Sequence, residues 1–466
     1  MNERDSEIME QLLATCGYVA VADMKDADLV LLNTCSIRAK AEQKVFSLLG
    51  QLRKQKARRP DLCIGVAGCV AQQEGAQIFK RMDHVDLVIG TQQLYQLPEM
   101  LQRLQTGESS RELSCNLERS FTIPPFQKLL FNKDRPTAHS PALPKDKPAQ
   151  LDQIDQPQQI SHKKTDGISR FVTIMQGCNN YCSYCVVPHT RGREVSRRVD
   201  DILEEVTLLA SQGVKEVTLL GQNVNSYGCT NPVADTATGF ADLLFMVSRI
   251  PGISRIRFTS SNPQDISKDL MQCFKDIDTL CPHFHLPAQS GSNRVLKKMR
   301  RKYTRELYLE KVNQLRSFCP EIAISTDIIV GFPGETEQDF EETMDLLEAV
   351  RFHGSFSFKY SDRPKTRSAE FPDKVDEEIK SARLQRFQKR QDQISLERNQ
   401  ELVGLSLDVM VEQNNNGEIK SRTGSNHIVH FSSPLPVNPG EIIKVRITHA
   451  GKHSLKGTLL SDPVHH

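Results

Sequence analysis

The sequence predicts an α/β protein with three folded parts. These are an N-terminal parallel α/β sheet domain, a central open (β/α)6 barrel and a small C-terminal β-barrel of OB-like type. Over residues 1–107 and 167–398, short apolar runs alternate with stretches of helical apolar spacing, the pattern of parallel strands joined by crossover helices. In the longer stretch each apolar run ends in a polar or Gly-rich loop, as in barrels whose active sites form at the carboxyl ends of the strands. From residue 402 onward the period shortens to the two-residue alternation of antiparallel strands punctuated by turns.

The bounds agree with this division. The 466 residues are enough for several domains, and 38% hydrophobic residues can supply a modest core to each. A net charge of +2 gives no molecule-wide field, so a polyanionic partner must be met by a local patch. No run of about 18 apolar residues suggests a membrane span. The opening Met1-Asn2-Glu3-Arg4-Asp5 is charged and has no secretory character. Twelve cysteines in a chain of this length are too sparse for a disulfide scaffold, and the expected setting is the reducing cytoplasm.

In the first part, residues 7–15 and 39–54 have helical spacing. Runs at 29–32, 62–67 and 85–89 read as strands ending at Asn33-Thr34-Cys35, Gly68-Cys69 and Gly90-Thr91. Parallel sheets place function beyond the carboxyl ends of their strands, so Cys35 and Cys69 are expected on one edge; two small core residues are the bland alternative. Residues 108–166 are rich in Pro, Gln, Lys and Asp and read as a linker in which Cys115 is incidental. In the barrel, strands are expected at 171–175, 217–220, 255–258, 283–286, 322–330 and 354–360, with Asp200 capping a helix that runs to Gln212. A long charged helix over 375–401 leads to five strands of the small domain, 402–463, a fold that often binds oligonucleotides.

The chemistry concentrates in residues 175–186, where Cys178, Cys182 and Cys185 are spaced C-x-x-x-C-x-x-C directly after a strand. Three thiolates on a four-iron cube leave one iron open, which suits chemistry better than electron storage. Zinc would want a fourth ligand, and His189 is the only near candidate, at an unusual spacing. The surrounding loop is too polar for plain burial of three cysteines.

With Tyr184 before its last cysteine, the triplet resembles the signature of the radical S-adenosylmethionine (SAM) superfamily. The stretch from Asp327 to Glu335 resembles that superfamily's Gly-rich SAM-contacting strand and loop, which implies Gly331 and Glu335 as cofactor contacts. The likeness extends over nearly the whole chain. The stretches 33–38, 68–69, 186–194, 219–225 and 285–292 together resemble the radical SAM methylthiotransferases, with Ser36-Ile37-Arg38 favouring the branch that acts on N(6)-dimethylallyladenosine in tRNA.

The resemblance implies two 4Fe–4S clusters, SAM as cosubstrate and tRNA as partner, with the C-terminal barrel as an RNA-holding TRAM domain. Cys178, Cys182 and Cys185 would be the catalytic cluster ligands. Cys35 and Cys69 match two of three ligands of an auxiliary, sulfur-carrying cluster. The third belongs to a Gly-Cys-Gln-Met-Asn motif whose last two residues match Met1-Asn2. That cysteine, with a first strand, is expected just upstream of Met1, a start placed at an internal methionine being favoured over a natural truncation. Cys16 follows a helix and is a poor substitute.

An electron donor and a sulfur source are required that the sequence does not identify, and a monomer is expected. Methylthiolation of threonylcarbamoyl-adenosine or of a ribosomal aspartate, or a degenerate RNA-binding protein, are the alternatives. The basic runs at 297–302 and 380–390 read first as solvated faces. Arg422, Lys444, Arg446, Lys452 and Lys456 on the small barrel are better placed for phosphates.

Overall fold

The computed structural model describes residues 1–34, 39–118, 121–126, 167–229, 238–434 and 436–460. Its first part is a four-stranded parallel sheet in sequential order, Leu29–Thr34, Cys63–Gly68, Leu87–Ile89 and Glu112–Ser114. Both faces are covered. Ile64, Val66 and Val88 pack on Leu49 and Leu52 on one side, while Ala67, Leu87 and Ile89 pack on Leu97, Met100 and Met9 on the other. That two-sided burial explains why these strands read as continuous apolar runs rather than alternating ones.

The fourth strand corrects the linker expectation. Residues 112–114 extend the sheet, and Cys115 packs against its core with its thiol 3.3 Å from the Ala71 carbonyl. Polar Glu112 hid this strand, but its carboxylate is satisfied by Arg103 at 2.7 Å. Phe126 is buried, and its amide donates to Asp201 at 2.6 Å. The rest of the expected linker, residues 119–120 and 127–166, lies outside the described residues.

The second part contains six parallel strands, Ser169–Thr173, Glu216–Leu220, Arg255–Phe258, His283–His285, Ala323–Val330 and Gly354–Lys359. They form two three-stranded sheets joined through an Ile256–Leu280 bridge, and the first and last strands do not pair with each other. The result is an open barrel. Apolar side chains such as Val217, Leu219, Ile256, Phe258, Phe284 and Ile324 pack outward on the helices. Successive strand residues face opposite ways, so Arg255, Arg257, His283, His285, Ser325 and Asp327 line the interior. The helix expected to be capped by Asp200 spans Val199–Ser211 and has Arg198 at its N-cap; Asp200 lies in its first turn, where an acidic side chain complements the helix dipole.

The helix Glu377–Gln400 connects this barrel to the third part, a closed barrel of Ser406–Asn415, Glu418–Thr423, Ile428–Ser432, Ile442–Ala450 and Leu455–Leu459. Val409, Val411, Ile419, Val429, Val445 and Ile447 fill it. Residues 461–466, and with them the terminal histidines, lie outside the described residues.

Candidate active site at the mouth of the core barrel

The first barrel strand is followed by a short antiparallel pair, Met175–Gln176 with Val195–Ser196, which ties off residues 177–194 as a loop across the carboxyl ends of the strands. Gly177 closes the tie. Its φ is +81°, and a Cβ there would lie 2.0 Å from the Arg193 carbonyl oxygen, so no other residue fits. Within the loop the Cys178 amide donates to the Gly192 carbonyl at 3.2 Å and the Cys185 amide to the Cys182 carbonyl at 3.0 Å. Ser183 pins the loop to the barrel, its amide donating to Met299 O at 3.0 Å and its hydroxyl to Lys298 O at 2.9 Å. Tyr184 packs on Val295, Met299, Phe332 and Tyr360. The aromatic residue before the last cysteine is therefore an anchor.

Cys178, Cys182 and Cys185 are half-buried free thiols. Burial, and then the charges of Cys182 and Cys178, push the Cys185 thiol up to about 12. Burial likewise raises Cys178, whose sulfur accepts from Asn180 Nδ2 at 3.5 Å. The thiols of Cys178 and Cys185, both held back from ionisation in part by Cys182, belong to a site completed by positive charge. Among the described residues no three Cys, His, Asp or Glu side chains are gathered tightly enough for a single metal ion. One ion at about 2.3 Å from each sulfur draws thiolates to roughly 3.8 Å of one another, whereas a cube distributes three thiolates over three irons. Three cysteines from one loop can serve three irons of such a cube and leave the fourth open, so the donor set fits a cluster. His189 borders the same cavity, of about 290 Å³, which Cys182, Cys185, Arg300, Lys365 and Arg367 also line.

Polar residues from the other strand ends brace the loop. Asn179 Oδ1 accepts from the Glu194 amide at 3.2 Å, and Ser226 Oγ donates to Glu194 Oε2 at 2.8 Å. Asn223 Nδ2 donates to Ser226 Oγ at 3.0 Å and to Asp265 at 2.7 Å. Across the barrel His285 lies 3.4 Å from the Asp327 carboxylate, with the ring of Phe356, 57% exposed, 5.9 Å away.

Gly331 and Glu335 come together, but against each other. The Gly331 amide donates to Glu335 Oε1 at 2.8 Å, and the same carboxylate pairs with Arg383 at 2.9 Å. Burial pushes Glu335 up to about 7 despite both partners. A Cβ on Gly331 would meet the Lys380 side chain of the long helix. Both residues therefore face the helix Glu377–Gln400.

The N-terminal sheet meets the barrel at this mouth. Thr34 and Gly68 are register partners, and Gly68 adopts φ +88° with no space for a Cβ beside the Thr34 carbonyl, 2.8 Å away. Cys69 leaves the sheet at that edge and is buried; Cys35 lies outside the described residues. The helix Cys69–Glu74 packs against Val187–Thr190, immediately after the cysteine loop. Thr91 Oγ1 donates to Thr190 O at 2.5 Å. Arg191 pairs with Asp5 at 2.5 Å, and the nearby Cys69 adds to the favourable electrostatics of its guanidinium.

Sequence reasoning missed several of these residues. Arg191 sits within a motif but gives no signal of its partners. Arg301, grouped with a solvated charge run, turns inward, where its guanidinium donates to Cys182 Sγ at 3.4 Å and stacks 4.9 Å from the Tyr303 ring. The second basic run is mostly the expected solvated face: Arg386 pairs with Glu341 and Arg390 with Glu348. Of the five cations on the small barrel, Arg422 is neutralised by Glu412 at 2.5 Å, and Lys444 and Lys452 also have carboxylate neighbours.

Comparison with known proteins adds to this geometry. Residues 172–347 match the radical SAM superfamily, and residues 1–90 match a family described as Uncharacterized protein family UPF0004. The chain is 55% identical to the tRNA-2-methylthio-N(6)-dimethylallyladenosine synthase of Desulfotalea psychrophila, over 99% of this chain and 97% of that protein. It is 47% identical to the protein of the same name from Syntrophobacter fumaroxidans, over 99% and 94%. Among solved structures, the radical SAM methyltransferase TsrM from Kitasatospora setae aligns with a TM-score of 0.49 at 14% identity, over 90% of this chain and 70% of that one.

Proposed function

The chain belongs to the tRNA-2-methylthio-N(6)-dimethylallyladenosine synthase family of radical SAM proteins, and from that membership we infer that it places a methylthio group on carbon 2 of N(6)-dimethylallyladenosine, next to the anticodon of tRNA. The observation that carries the reading is one loop bearing three free thiols at the mouth of an open six-stranded barrel. Cys178, Cys182 and Cys185 would hold a 4Fe–4S cube whose open iron takes SAM. Bound there, the pair supplies one-electron chemistry able to break an unactivated C–H bond, which carbon 2 of adenine requires.

The protein's own residues position and shelter that chemistry. Gly177, Ser183 and Tyr184 fix the loop, and the Glu194–Ser226–Asn223–Asp265 chain ties it to the neighbouring strand ends. The first and last barrel strands do not pair with each other, and a base splayed from its stack would enter between them. Phe356 would offer an aromatic surface on the last of these strands. Gly331 and Glu335, whose polar groups meet each other, would hold the shape of the loop that contacts the cofactor.

Cys69, with Cys35, would hold a second cluster carrying the sulfur and methyl groups. Its support is the docking of helix Cys69–Glu74 directly against the segment that follows the cysteine loop. No helix among the described residues is long and apolar enough to cross a membrane. A cytoplasmic monomer supplied by separate electron and sulfur donors is the setting we propose. The test is mass spectrometry of nucleosides from tRNA incubated with anaerobically reconstituted protein, SAM and a reductant. The 2-methylthio derivative of dimethylallyladenosine is expected; its absence, or the threonylcarbamoyl product instead, would overturn the reading.

A further inference from the structure

The C-terminal barrel does not simply follow the core on a tether. Its turn between Glu418–Thr423 and Ile428–Ser432 closes the end of the core barrel opposite the cysteine loop. Gly424 lies against Pro282, just before the fourth core strand, its Cβ position 3.1 Å from the proline ring. His427 meets His353, just before the sixth, at 5.6 Å between ring centroids. Burial pushes these imidazoles down to about 4 and about 2, so the contact joins neutral rings.

Two arginines of the third core strand grip this turn and the strands beside it from inside the barrel. Arg257 donates through Nη1 to Gly424 O and through Nη2 to Thr423 O, both at 2.8 Å. Its Nε donates to Glu216 at 2.9 Å, and Glu216 also accepts from Ser169 Oγ at 3.2 Å. Arg255 donates to Arg422 O at 2.6 Å and to Asp408 O at 3.2 Å. Arg255, Arg257 and Glu216 are each less than a tenth exposed. The two guanidiniums thus direct four bonds at main-chain carbonyls of another domain. A rigid fork of fixed donors is suited to that task in a way a lysine ammonium is not.

A second grip comes from the connecting helix, where Asn399 Nδ2 donates to Gly451 O at 2.7 Å and Asp392 pairs with Lys452 at 3.1 Å. The small barrel is therefore held by two core elements at different segments of its chain, which fixes its orientation as well as its position. A tethered domain held at one point could pivot.

We propose that Arg257 and Arg255 are positioning residues for the modification reaction, latching the RNA-holding barrel to the base of the core barrel at one fixed angle. This rests on the tRNA-modifying function argued above. A tRNA held on the small barrel must deliver one base to the opposite, cysteine-bearing end of the core. The distance and angle between the two barrels then decide whether that base reaches the mouth. The latch touches neither thiols nor base, so it sets productive binding of tRNA and leaves SAM cleavage alone.

The decisive variant is Arg257→Lys. It keeps a cation against Glu216, so the core strand retains its ion pair, and it loses the forked grip on Thr423 and Gly424. In the reconstituted full chain, tRNA-independent cleavage of SAM should stay within about twofold of wild type, while KM for tRNA rises roughly tenfold. Amide hydrogen exchange at residues 423–427 should accelerate with no change in residues 171–176. Arg255→Lys should act in the same direction. Unchanged KM and unchanged exchange at 423–427 would overturn the proposal. Loss of tRNA-independent SAM cleavage would overturn it too, by making Arg257 a support of the core. The exchange measurement needs no substrate, so the latch is judged independently of the assigned reaction, whose own failure would show in wild-type protein yielding no methylthiolated nucleoside.

Discussion

The cysteine loop of the core and the cysteine edge of the N-terminal sheet are built in opposite ways. Cys178, Cys182 and Cys185 come from eight consecutive residues, and a strand, a glycine and an anchoring tyrosine suffice to shape them. Cys69 comes from a sheet edge, where it is useful only if a second strand end and a second domain arrive beside it. The first site is local in sequence and the second exists only through the fold. Arg191 joins them, since it follows the cysteines in the same loop, pairs with Asp5 of the N-terminal part and has Cys69 among its electrostatic neighbours.

The sharpest way to break this comparison is to remove one thiol from the local site. Cys182→Ala is expected to abolish both SAM cleavage and tRNA modification after anaerobic reconstitution. Deoxyadenosine formed at wild-type rate by that variant would mean that the loop does not hold the SAM-cleaving cluster. Cys69→Ala should behave differently, losing methylthiolation while SAM cleavage persists. Iron analysis carries the same distinction: two complete cubes bring about eight irons per chain and one brings about four. Cys69→Ala protein that keeps the wild-type iron content would remove Cys69 from the ligand set.

A smaller effect is expected from the joint between the sites. The Arg191–Asp5 pair is nearly sealed from solvent, with 5% and 7% of the side chains exposed. Removing one partner leaves a buried charge without its complement, at a cost of about 3–5 kcal/mol. Arg191→Met should therefore open the helix Asn2–Thr15 to hydrogen exchange. Pairing it with Asp5→Leu should recover much of the loss, because both charges are then gone. Equal exchange in the single and double variants would show that the pair contributes only packing.

The same contrast explains which features were legible. The alternation of strands and helices, the open barrel, the closed C-terminal barrel and the cysteine loop are all written in periodicity and spacing over short stretches. Residues 112–114 were not legible as a strand, because a single turn of sheet edge with a glutamate at its head carries no period. Arg301 sat in a run of cations whose average behaviour is to face water, and only the turn ended by Arg300, at φ +59°, sends it toward Cys182. Arg191, Arg255 and Arg257 find their partners far away in sequence, and no local pattern reports a partner in another domain. The two barrels could each be read, but the arginines that join them could not.

Glu335 sharpens the comparison at its finest grain, because it is a motif residue that the fold uses as a brace. Its carboxylate is buried against the Gly331 amide and Arg383, and burial raises it from 4.5 to about 7. A carboxyl raised in the folded state binds its proton more tightly there than in the unfolded chain. Between pH 4.5 and about 7 the folded form then holds more proton than the unfolded form, so stability falls as pH rises through that window and levels off above it. The whole effect is bounded at about 3 kcal/mol by the size of the shift. Glu335→Gln carries no such proton, so its unfolding free energy should be flatter across the same window, with wild type and variant diverging as pH rises. Parallel curves would mean that Glu335 is already ionised at low pH by Arg383, and that its loop is held by the ion pair rather than by the proton.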